Sequence, residues 1–358
     1  MKKLFAWIAR NERHLSTIVF VGGFILDNLA YPYASLDWIN FLFLSFLVIA
    51  ALCIILNHLL HKDRADAAPS WKNPLYTLLP IVAQFFIGGL LSGCVILYSR
   101  SATFGVSWPF LLVLFAVFVA NEALQKYRER LAFHTILFFF TLYSYAIFAL
   151  PIARGEIGSL IFLESGLASV IIFALFLCIL RVIGKKRLME SLRRILIACG
   201  IIIVLVNVFY FTGILPPLPL ALKDAGIYHA IVRTGTGYSV QAEEATWAPF
   251  SAEVVHYTSG STLYAYSAVF APISLSTPIV HRWQKYNDTT HSWDTIASIA
   301  FPISGGRDTG YRGYSAFSSL TPGAWRVSIE TLNGGVLGRI RFDLENAQVL
   351  PALHTELK

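Results

Sequence analysis

The residues best suited to chemistry in the last third of the chain are arginines beside aromatic side chains. His281, Arg282 and Trp283 are consecutive, and strand alternation would place His281 and Trp283 on one face with Arg282 on the other. A second group lies on a Gly-rich loop and the strand after it: Arg307, Tyr311, Arg312 and Tyr314. Guanidinium forks beside aromatic rings suit carboxylate, phosphate or sugar groups, so these seven residues predict a ligand-binding site. The alternative is that the tryptophans form the core and that the arginines have structural partners.

A second candidate site lies near the ends of three apolar stretches. His58 and His61 are three residues apart and would share a helical face. Glu122 and His134 lie near the two ends of the basic segment between the apolar stretches 108–124 and 131–152, on the same expected side of a membrane. Three imidazoles and a carboxylate are transition-metal ligands, although histidines at helix ends also serve to reach lipid headgroups. We treat these four as metal candidates and expect no organic cofactor.

Four polar residues lie within apolar stretches, namely Asp27, Asn28, Gln84 and Glu164. A carboxylate inside a membrane is costly and is a functional hypothesis by default. Together these residues would suit a proton or cation path. The alternative is a structural pairing of Glu164 with Arg154 or with a hydroxyl group.

Catalytic signatures are absent from the sequence. Residues 89–93 (GLLSG) lack the spacing of a rhomboid-protease serine motif, and no His-Glu-x-x-His occurs. Residues 235–237 (GTG) form an isolated Gly-x-Gly without a phosphate-binding loop around it. The sequence therefore leans against an enzyme without excluding one.

Apolar stretches dominate the first 215 residues. Hydrophobic residues make up 56% of the chain and mean hydropathy is +0.62, which a soluble globule would not tolerate. Seven stretches have the length of a spanning helix, about 20 residues: 15–31, 38–60, 75–98, 108–124, 131–152, 157–183 and 195–215. The sequence predicts a seven-helix membrane domain.

Lys and Arg fall into every second gap around these stretches. Counting Arg181 with the gap that follows it, sixteen lie on one side and two on the other. Short basic loops stay cytoplasmic, so we expect a cytoplasmic N-terminus and a periplasmic C-terminal domain in a bacterial inner membrane. The net charge of +7 arises here, because residues 1–215 hold 18 basic and 10 acidic groups and residues 216–358 hold 10 and 11. It is no sign of a nucleic-acid partner.

Residues 216–358 have the composition of a small β-rich domain. All four cysteines precede it, so no disulfide can stabilise it. Period-two patterning predicts six strands: 262–270, 278–286, 295–303, 311–317, 324–331 and 336–343. Their spacing predicts an Ig-like β-sandwich. The expected organisation is a membrane domain (1–219), a partly helical connecting segment with a helix around 243–256 (220–260), a periplasmic β-rich domain (261–346) and a C-terminal tail (347–358).

Four ordered motifs in this domain resemble a catalogued bacterial family. They are 279–283 (IVHRW), 305–315 (GGRDTGYRGYS), 322–327 (PGAWRV) and 337–342 (LGRIRF). The region of about 261–343 resembles family 2914 of the domains of unknown function, often the C-terminal module of bacterial membrane proteins. Where that family commonly has Trp-Arg, this chain has Tyr311-Arg312. The resemblance implies a compact β-rich module and supplies no activity, cofactor or catalytic residue.

These observations predict a polytopic inner-membrane protein with a scaffold or accessory role. Its periplasmic module would bind an envelope component or a protein, with a protein, a glycan or an anionic lipid as the partner and the lipid bilayer around its helices. One alternative is a small-solute or ion transporter that uses Glu164 and Asp27. Another is a lipid- or glycan-modifying membrane enzyme.

Overall fold

The computed structural model describes most of the chain. It covers residues 12–31, 36–62, 75–102, 104–124, 130–217, 220–235, 237–244, 253–258, 260–271, 276–304 and 310–358. These residues divide into two compact units. A helical unit holds most of the residues up to Phe211, and a β-rich unit consists mainly of Thr212–Lys358.

Six helical elements lie in the described part of the first unit. They are α1 (Glu12–Ala30), α2 (Leu36–Lys62), α3 (Leu75–Ser101), α4 (Phe104–Ala123), α5 (Leu131–Arg154) and α6 (Ser159–Phe211). Five of them, α2 to α6, are long and apolar enough to cross a membrane by length and composition, among the residues described. A helix pairs all of its backbone groups internally, which the bilayer interior requires. The apolar helices therefore confirm the prediction of a membrane-type region.

The element α6 is 53 residues long, and its backbone is non-helical at Gly184 (φ −152°, ψ 75°). Two predicted spans, 157–183 and 195–215, lie on the two sides of that residue. The second ends at Phe211, four residues early, because Gly213 adopts a positive φ of 71°, a conformation that ends helices. The count of seven spans stays a prediction.

Among the described residues, eleven strands belong to the second unit. They are β1 (Ala221–Tyr228), β2 (Ala230–Arg233), β3 (Tyr238–Glu243), β4 (Glu253–Tyr257), β5 (Leu263–Phe270), β6 (Ser276–Asn287), β7 (Ser292–Ser304), β8 (Tyr311–Phe317), β9 (Gly323–Thr331), β10 (Val336–Asn346) and β11 (Leu353–Leu357). Sheet I has the order β1-β5-β8, sheet II has β4-β10-β9-β6-β7, and sheet III has β11-β3-β2. Each of the six predicted strands corresponds to one observed strand, from β5 to β10.

The hairpin β9–β10 shows why the sequence pattern was informative. Gly334 adopts a positive φ of 81° in the turn, as an Asn-Gly turn requires. Val327 lies opposite Ile340 and Trp325 opposite Phe342 in the antiparallel ladder. These four apolar residues share the inner face of sheet II.

The segments on both sides of the predicted domain also belong to the sheets. No helix occurs in the described part of 243–256, because Glu243 ends β3 and residues 253–257 form β4. The strand β1 pairs with β5, and β4 pairs in parallel with β10. The expected tail contributes β11, which pairs with β3. The described residues of the expected connecting segment and tail therefore contribute strands to the β-rich unit, and residues 245–252 of the expected helix lie outside the described residues.

Two apolar layers hold the three sheets together. Sheets I and II enclose a core in which Trp283, Trp325 and Phe342 are each at most 1% exposed. Sheets I and III enclose a smaller core around Val240 and Tyr266. One face of sheet I thus lies against sheet II and the other against sheet III, which decides where each side chain of β5 and β8 points.

Candidate ligand-binding surfaces of the β-rich unit

His281 and Trp283 lie in the core between sheets I and II, and both are 0% exposed. The two ring nitrogens of His281 lie 2.8 Å from Ser267 Oγ and 3.0 Å from Ser315 Oγ. Trp283 Nε1 donates a hydrogen bond to the same Ser315 Oγ at 3.0 Å. Both side chains serve as satisfied core residues, because neither has surface that a ligand could reach.

Arg282 projects from the opposite face of β6. Its Nε donates to Glu330 Oε2 at 3.0 Å, and the Arg282 side chain is 34% exposed against 9% for Glu330. Arg282 thus has a structural carboxylate partner in Glu330. Arg307 lies outside the described residues.

The strand β8 separates the remaining predicted residues by face. Tyr311 packs against the apolar core of sheets I and II. Arg312 and Tyr314 lie on the other face, opposite Ala268 and Tyr266 of β5. Of the predicted ligand-binding residues, Arg312 and Tyr314 therefore share the face of sheet I that is turned toward sheet III.

Tyrosines from two other strands, β3 and β5, lie beside these two residues. The Tyr314 ring lies 5.8 Å from that of Tyr238 on β3 and 6.0 Å from that of Tyr264 on β5, and both pairs meet edge to face, a favoured arrangement. The Tyr314 side chain is 42% exposed. We call Tyr238, Tyr264, Arg312 and Tyr314 the tyrosine surface.

Tyr266 supports this surface from below. Its ring lies 6.0 Å from the Tyr238 ring and is 1% exposed. Burial raises the pKa of Tyr266 to about 12, against the opposing effect of the Arg312 charge. Its phenol is therefore neutral at physiological pH and serves as a rigid base for the exposed rings.

Gly237 allows the turn between β2 and β3 to approach Arg312. A Cβ atom at Gly237 would lie 2.9 Å from Arg312 Nη1, a separation at which one of the two must move. The absence of a side chain here lets the backbone just before Tyr238, the first residue of β3, lie against the Arg312 guanidinium. The tyrosine surface therefore depends on sheet III as well as on the region that resembles a known family.

A cluster of two histidines and a glutamate is the feature that sequence reasoning missed. Glu243 Oε1 lies 2.8 Å from His229 Nε2, and its Oε2 lies 2.7 Å from His256 Nδ1. The backbone N–H of His256 also donates to Glu243 Oε1 at 2.8 Å. The three residues are 13 and 14 positions apart along the chain and show no local motif. Only the pairing of their strands could have brought them together.

The metal candidates are not gathered into a site. Within the part of the chain that the structure describes, no three His, Cys, Asp or Glu side chains form a group able to hold a metal ion. His58 is 1% exposed, and its Nε2 lies 2.9 Å from the Leu180 carbonyl oxygen. The side chain of His61 lies outside the described residues. His58 therefore contributes to the packing of α2 on α6.

The four polar residues of the helical unit have separate environments. Ser92 Oγ donates to Asp27 Oδ2 at 2.6 Å, and Arg100 donates to the Asn28 carbonyl oxygen at 3.2 Å. Gln84 and Asn121 bond reciprocally between α3 and α4. The side chain of Glu164 is exposed on α6.

A comparison with protein families finds a model that matches part of the β-rich unit. Residues 276–344 match the family model described as protein of unknown function (DUF2914), which confirms the resemblance found in the C-terminal module. No curated protein matches the chain in sequence.

Two solved structures illustrate the structural matches. A β-glucosidase from Listeria innocua in complex with gluconolactone is 13% identical, with 30% of this chain and 16% of that chain covered and a TM-score of 0.19. The DNA glycosylase AlkC from Pseudomonas fluorescens, bound to DNA with an abasic site analogue, is 11% identical over 85% of this chain and 99% of that chain, with a TM-score of 0.23. Both TM-scores are too low to assign a fold, and the chain spans about a sixth of the β-glucosidase.

Proposed function

We propose that this chain is a membrane-anchored binding protein whose β-rich module takes an envelope component at the tyrosine surface. The observation that carries the proposal is the contact of the Tyr238 and Tyr264 rings with the Tyr314 ring, on the face of β8 that also carries Arg312. Three strands from two sheets build this surface. The module does not carry out a reaction in this proposal, since no catalytic set supports one.

The membrane part of the proposal follows from charge. The alternation of basic gaps supports a bacterial inner membrane with the N-terminus in the cytoplasm and the module in the periplasm. The seven spans would be α1 to α5 and the two halves of α6 on either side of Gly184. The module would keep the sandwich character of an Ig-like domain in the packing of sheets I and II.

The chemistry of the surface favours a glycan that carries anionic groups. Exposed aromatic rings offer flat apolar area with phenol hydroxyls at their edges. A guanidinium next to them offers paired donors for a carboxylate. Tyrosine and arginine are also the residues that contribute most at binding hot spots. A protein partner is the competing outcome of the experiment below.

Binding of purified full-length protein in non-ionic detergent to solubilised cell-wall glycan tests the proposal. We expect Tyr314→Ala and Arg312→Gln each to weaken binding by about tenfold, the loss of a single hot-spot contact. Tyr314→Phe should retain most of the affinity if ring area is what matters. Tyr286→Ala is the matched control, because Tyr286 lies on sheet II and contacts Trp293 instead.

Two results would reject this function. One is wild-type affinity in Tyr314→Ala while its thermal unfolding is unchanged. The other is an absence of glycan binding by the wild-type protein together with capture of a protein partner that depends on Tyr314.

A further inference from the structure

Four arginines share the outer face of sheet II. In the ladder of β10, β9 and β6, Arg341 lies directly opposite Arg326, and Ser328 lies between Arg339 and Arg282. Paired positions of a sheet bring side chains close together, and like charges placed there repel. The fold therefore concentrates positive charge on one small area at an energetic cost.

One buried carboxylate faces these four cations. Glu330 is 7% exposed and accepts from Arg282 Nε at 3.0 Å. Arg339 is attracted by the same carboxylate, yet its own Nε is buried and has no hydrogen-bond partner among the described residues. A buried N–H without an acceptor costs about 1–3 kcal/mol. An acceptor supplied from outside would remove that cost.

The Arg326 side chain is held in place by neutral groups. Its Nε donates to Gln284 Oε1 at 2.7 Å, and its guanidinium carbon lies 4.4 Å from the centre of the Trp293 ring. Partial burial, followed by the charges of Arg339 and Arg341, lowers the pKa of Arg326 to about 10. The neutral contacts orient this guanidinium without neutralising its charge.

Acidic residues are nearby, but they do not neutralise the cluster. Asp343 and Glu345 follow Arg341 on the same face of β10. Within the described residues, none of the three cations Arg326, Arg339 and Arg341 forms an ion pair with a carboxylate. The part of the face around Arg326, Arg339 and Arg341 therefore keeps a positive net charge.

An open cleft lies beside Arg339 and Arg341. It has a volume of about 510 Å³ and is lined by residues 222–225 of β1 and residues 339–341 of β10. Pockets for small ligands usually measure about 300–1,000 Å³, so a headgroup-sized molecule fits here. The cleft opens where residues 339–341 extend beyond the part of β10 that pairs with β4, which is 342–346.

The β1 wall of the cleft adds a further cation. The Lys223 ammonium lies 5.4 Å from the centre of the Phe270 ring. The one acid in the lining, Asp224, lies 3.2 Å from the Lys358 ammonium, so its charge is already countered within the chain. Arg339, Arg341 and Lys223 therefore give the cleft a cationic lining.

We propose that this cleft is a phosphate-binding site in which Arg339 and Arg341 hold the phosphate oxygens, with Lys223 opposite and Arg326 at the edge. Guanidinium forks match phosphate geometry with two parallel hydrogen bonds each. A phosphate has enough oxygens to engage both forks and to accept from the buried Arg339 Nε. A single carboxylate could satisfy only one fork. The site is separate from the tyrosine surface and does not depend on the function proposed for it.

Titration calorimetry of the full-length protein in non-ionic detergent, with inorganic phosphate as the probe, tests the site. We expect Arg339→Gln and Arg341→Gln each to weaken binding by about tenfold or more, because each removes one fork. Arg233→Gln is the matched control, since Arg233 is exposed on β2 of sheet III. Equal phosphate affinity in wild type, Arg339→Gln and Arg341→Gln would overturn the assignment.

Thermal unfolding distinguishes phosphate binding by Arg341 from a purely structural role of this residue. Removing one of two opposed cations relieves repulsion, so Arg341→Gln should unfold at a higher temperature than wild type without phosphate. Added phosphate should then raise the Tm of wild type by mass action and leave that of Arg341→Gln unchanged. A lower Tm for Arg341→Gln without phosphate, together with an unchanged phosphate response, would identify Arg341 as structural only.

The source of the phosphate is distinguished by three probes. Inorganic phosphate represents a free anion, glycerol 3-phosphate a soluble monoester, and dihexanoyl-phosphatidylglycerol a lipid headgroup. Tighter, Arg339-dependent binding of the short-chain lipid would assign the site to a headgroup, and tighter binding of either soluble probe would assign it to a solute. Equal binding of sulfate and phosphate would show an adventitious ion only and reject the proposal.

Discussion

His281 is a neutral imidazole in the core of the β-rich unit. Burial lowers its pKa from 6.5 to about 4. A neutral ring has one donor and one acceptor nitrogen, and the hydroxyls of Ser267 and Ser315 can serve both. A protonated ring would have two donors and a buried charge, so this residue couples the stability of the unit to pH.

We predict that the free energy of unfolding decreases as pH falls from 6.5 to about 4. In that window the unfolded chain binds a proton at His281 that the folded protein does not, so stability is fully present above pH 6.5 and declines below it. The total loss from this residue is about 3 kcal/mol. Thermal unfolding of the full-length protein across this pH range measures it.

Two variants separate His281 from other titrating groups. His281→Gln should be less stable at neutral pH and should lose less stability on acidification. His291→Asn changes an exposed histidine with a positive φ of 51°, a conformation that asparagine tolerates, and should follow wild type. The same pH slope in wild type and His281→Gln would contradict the prediction.

Glu243, at the junction of sheets II and III, is a second residue that makes the stability of the protein depend on pH. Burial alone would raise the pKa of Glu243, but the hydrogen bonds from His256 and His229 outweigh it and hold that pKa below 4.5. A lowered carboxyl pKa adds stability above pH 4.5 that is lost as pH falls further. We expect Glu243→Gln to destabilise the protein at neutral pH by about 1–3 kcal/mol.

Chemical unfolding at pH 7 and at pH 4 checks the role of Glu243. The difference in the free energy of unfolding between wild type and Glu243→Gln should become smaller at the lower pH, where the wild-type carboxylate begins to be protonated. Asp288→Asn, at an exposed position of the turn between β6 and β7, is the control and should match wild type at both values. The same difference in the free energy of unfolding at both pH values would mean that the charge of Glu243 contributes nothing to stability.

The helical element α6 is interrupted at a residue that also fixes a neighbouring helix. A Cβ atom at Gly184 would lie 2.8 Å from His58 Nε2 on α2. That nitrogen is already positioned by the Leu180 carbonyl oxygen. We predict that Gly184→Ala displaces the His58 ring and lowers stability by about 1–3 kcal/mol, the usual cost of overpacking.

The companion variant is Gly200→Ala, also on α6. No heavy atom lies within 4 Å of a Cβ at Gly200, so the change should be neutral or should stabilise the helix by up to about 1 kcal/mol through propensity. Thermal unfolding in detergent compares the two. Equal effects of both variants would show that helix propensity, and not the His58 contact, decides the outcome.

The strands that the sequence predicted are those with a strong local signal. The hairpin β9–β10 combines alternating residues such as Trp325 and Val327 with an Asn-Gly turn, and both features act within a few residues. The strands β2, β3 and β4 are only four to six residues long and carry polar residues on their half-exposed faces. The strands β2 and β3 pair with each other locally, but β3 also pairs with β11 and β4 pairs with β10, both far along the chain, so a local pattern gives a weak signal for them.

The site residues can likewise be divided into those that a local sequence pattern predicts and those that depend on long-range strand pairing. Alternation along β6 correctly separated Arg282 from His281 and Trp283, but it could not tell which face is buried. The spacing of Arg339 and Arg341 does predict a shared strand face, whereas their approach to Arg326 depends on the register between β9 and β10. The Glu243 cluster depends on three separate strand placements and is beyond any local pattern.

At the scale of the whole molecule, the sequence predicts a membrane topology in which the β-rich unit would be exported. The basic gaps orient the helices, and the parity of the spans decides on which side the β-rich unit emerges. That parity depends on α6. A helix of 53 residues measures about 80 Å at 1.5 Å per residue, whereas the hydrocarbon core of a bilayer is about 30 Å thick.

We therefore predict that the two halves of α6 cross the membrane separately. A green fluorescent reporter that folds only in the cytoplasm should be active when fused after Glu190, which lies in the basic segment that follows Gly184. It should be silent when fused after Lys358. An alkaline phosphatase reporter, which needs the periplasm, should give the reverse pattern. The same fluorescence from both fusions would mean that α6 counts as one crossing, and the β-rich unit with its tyrosine surface and phosphate cleft would then face the cytoplasm.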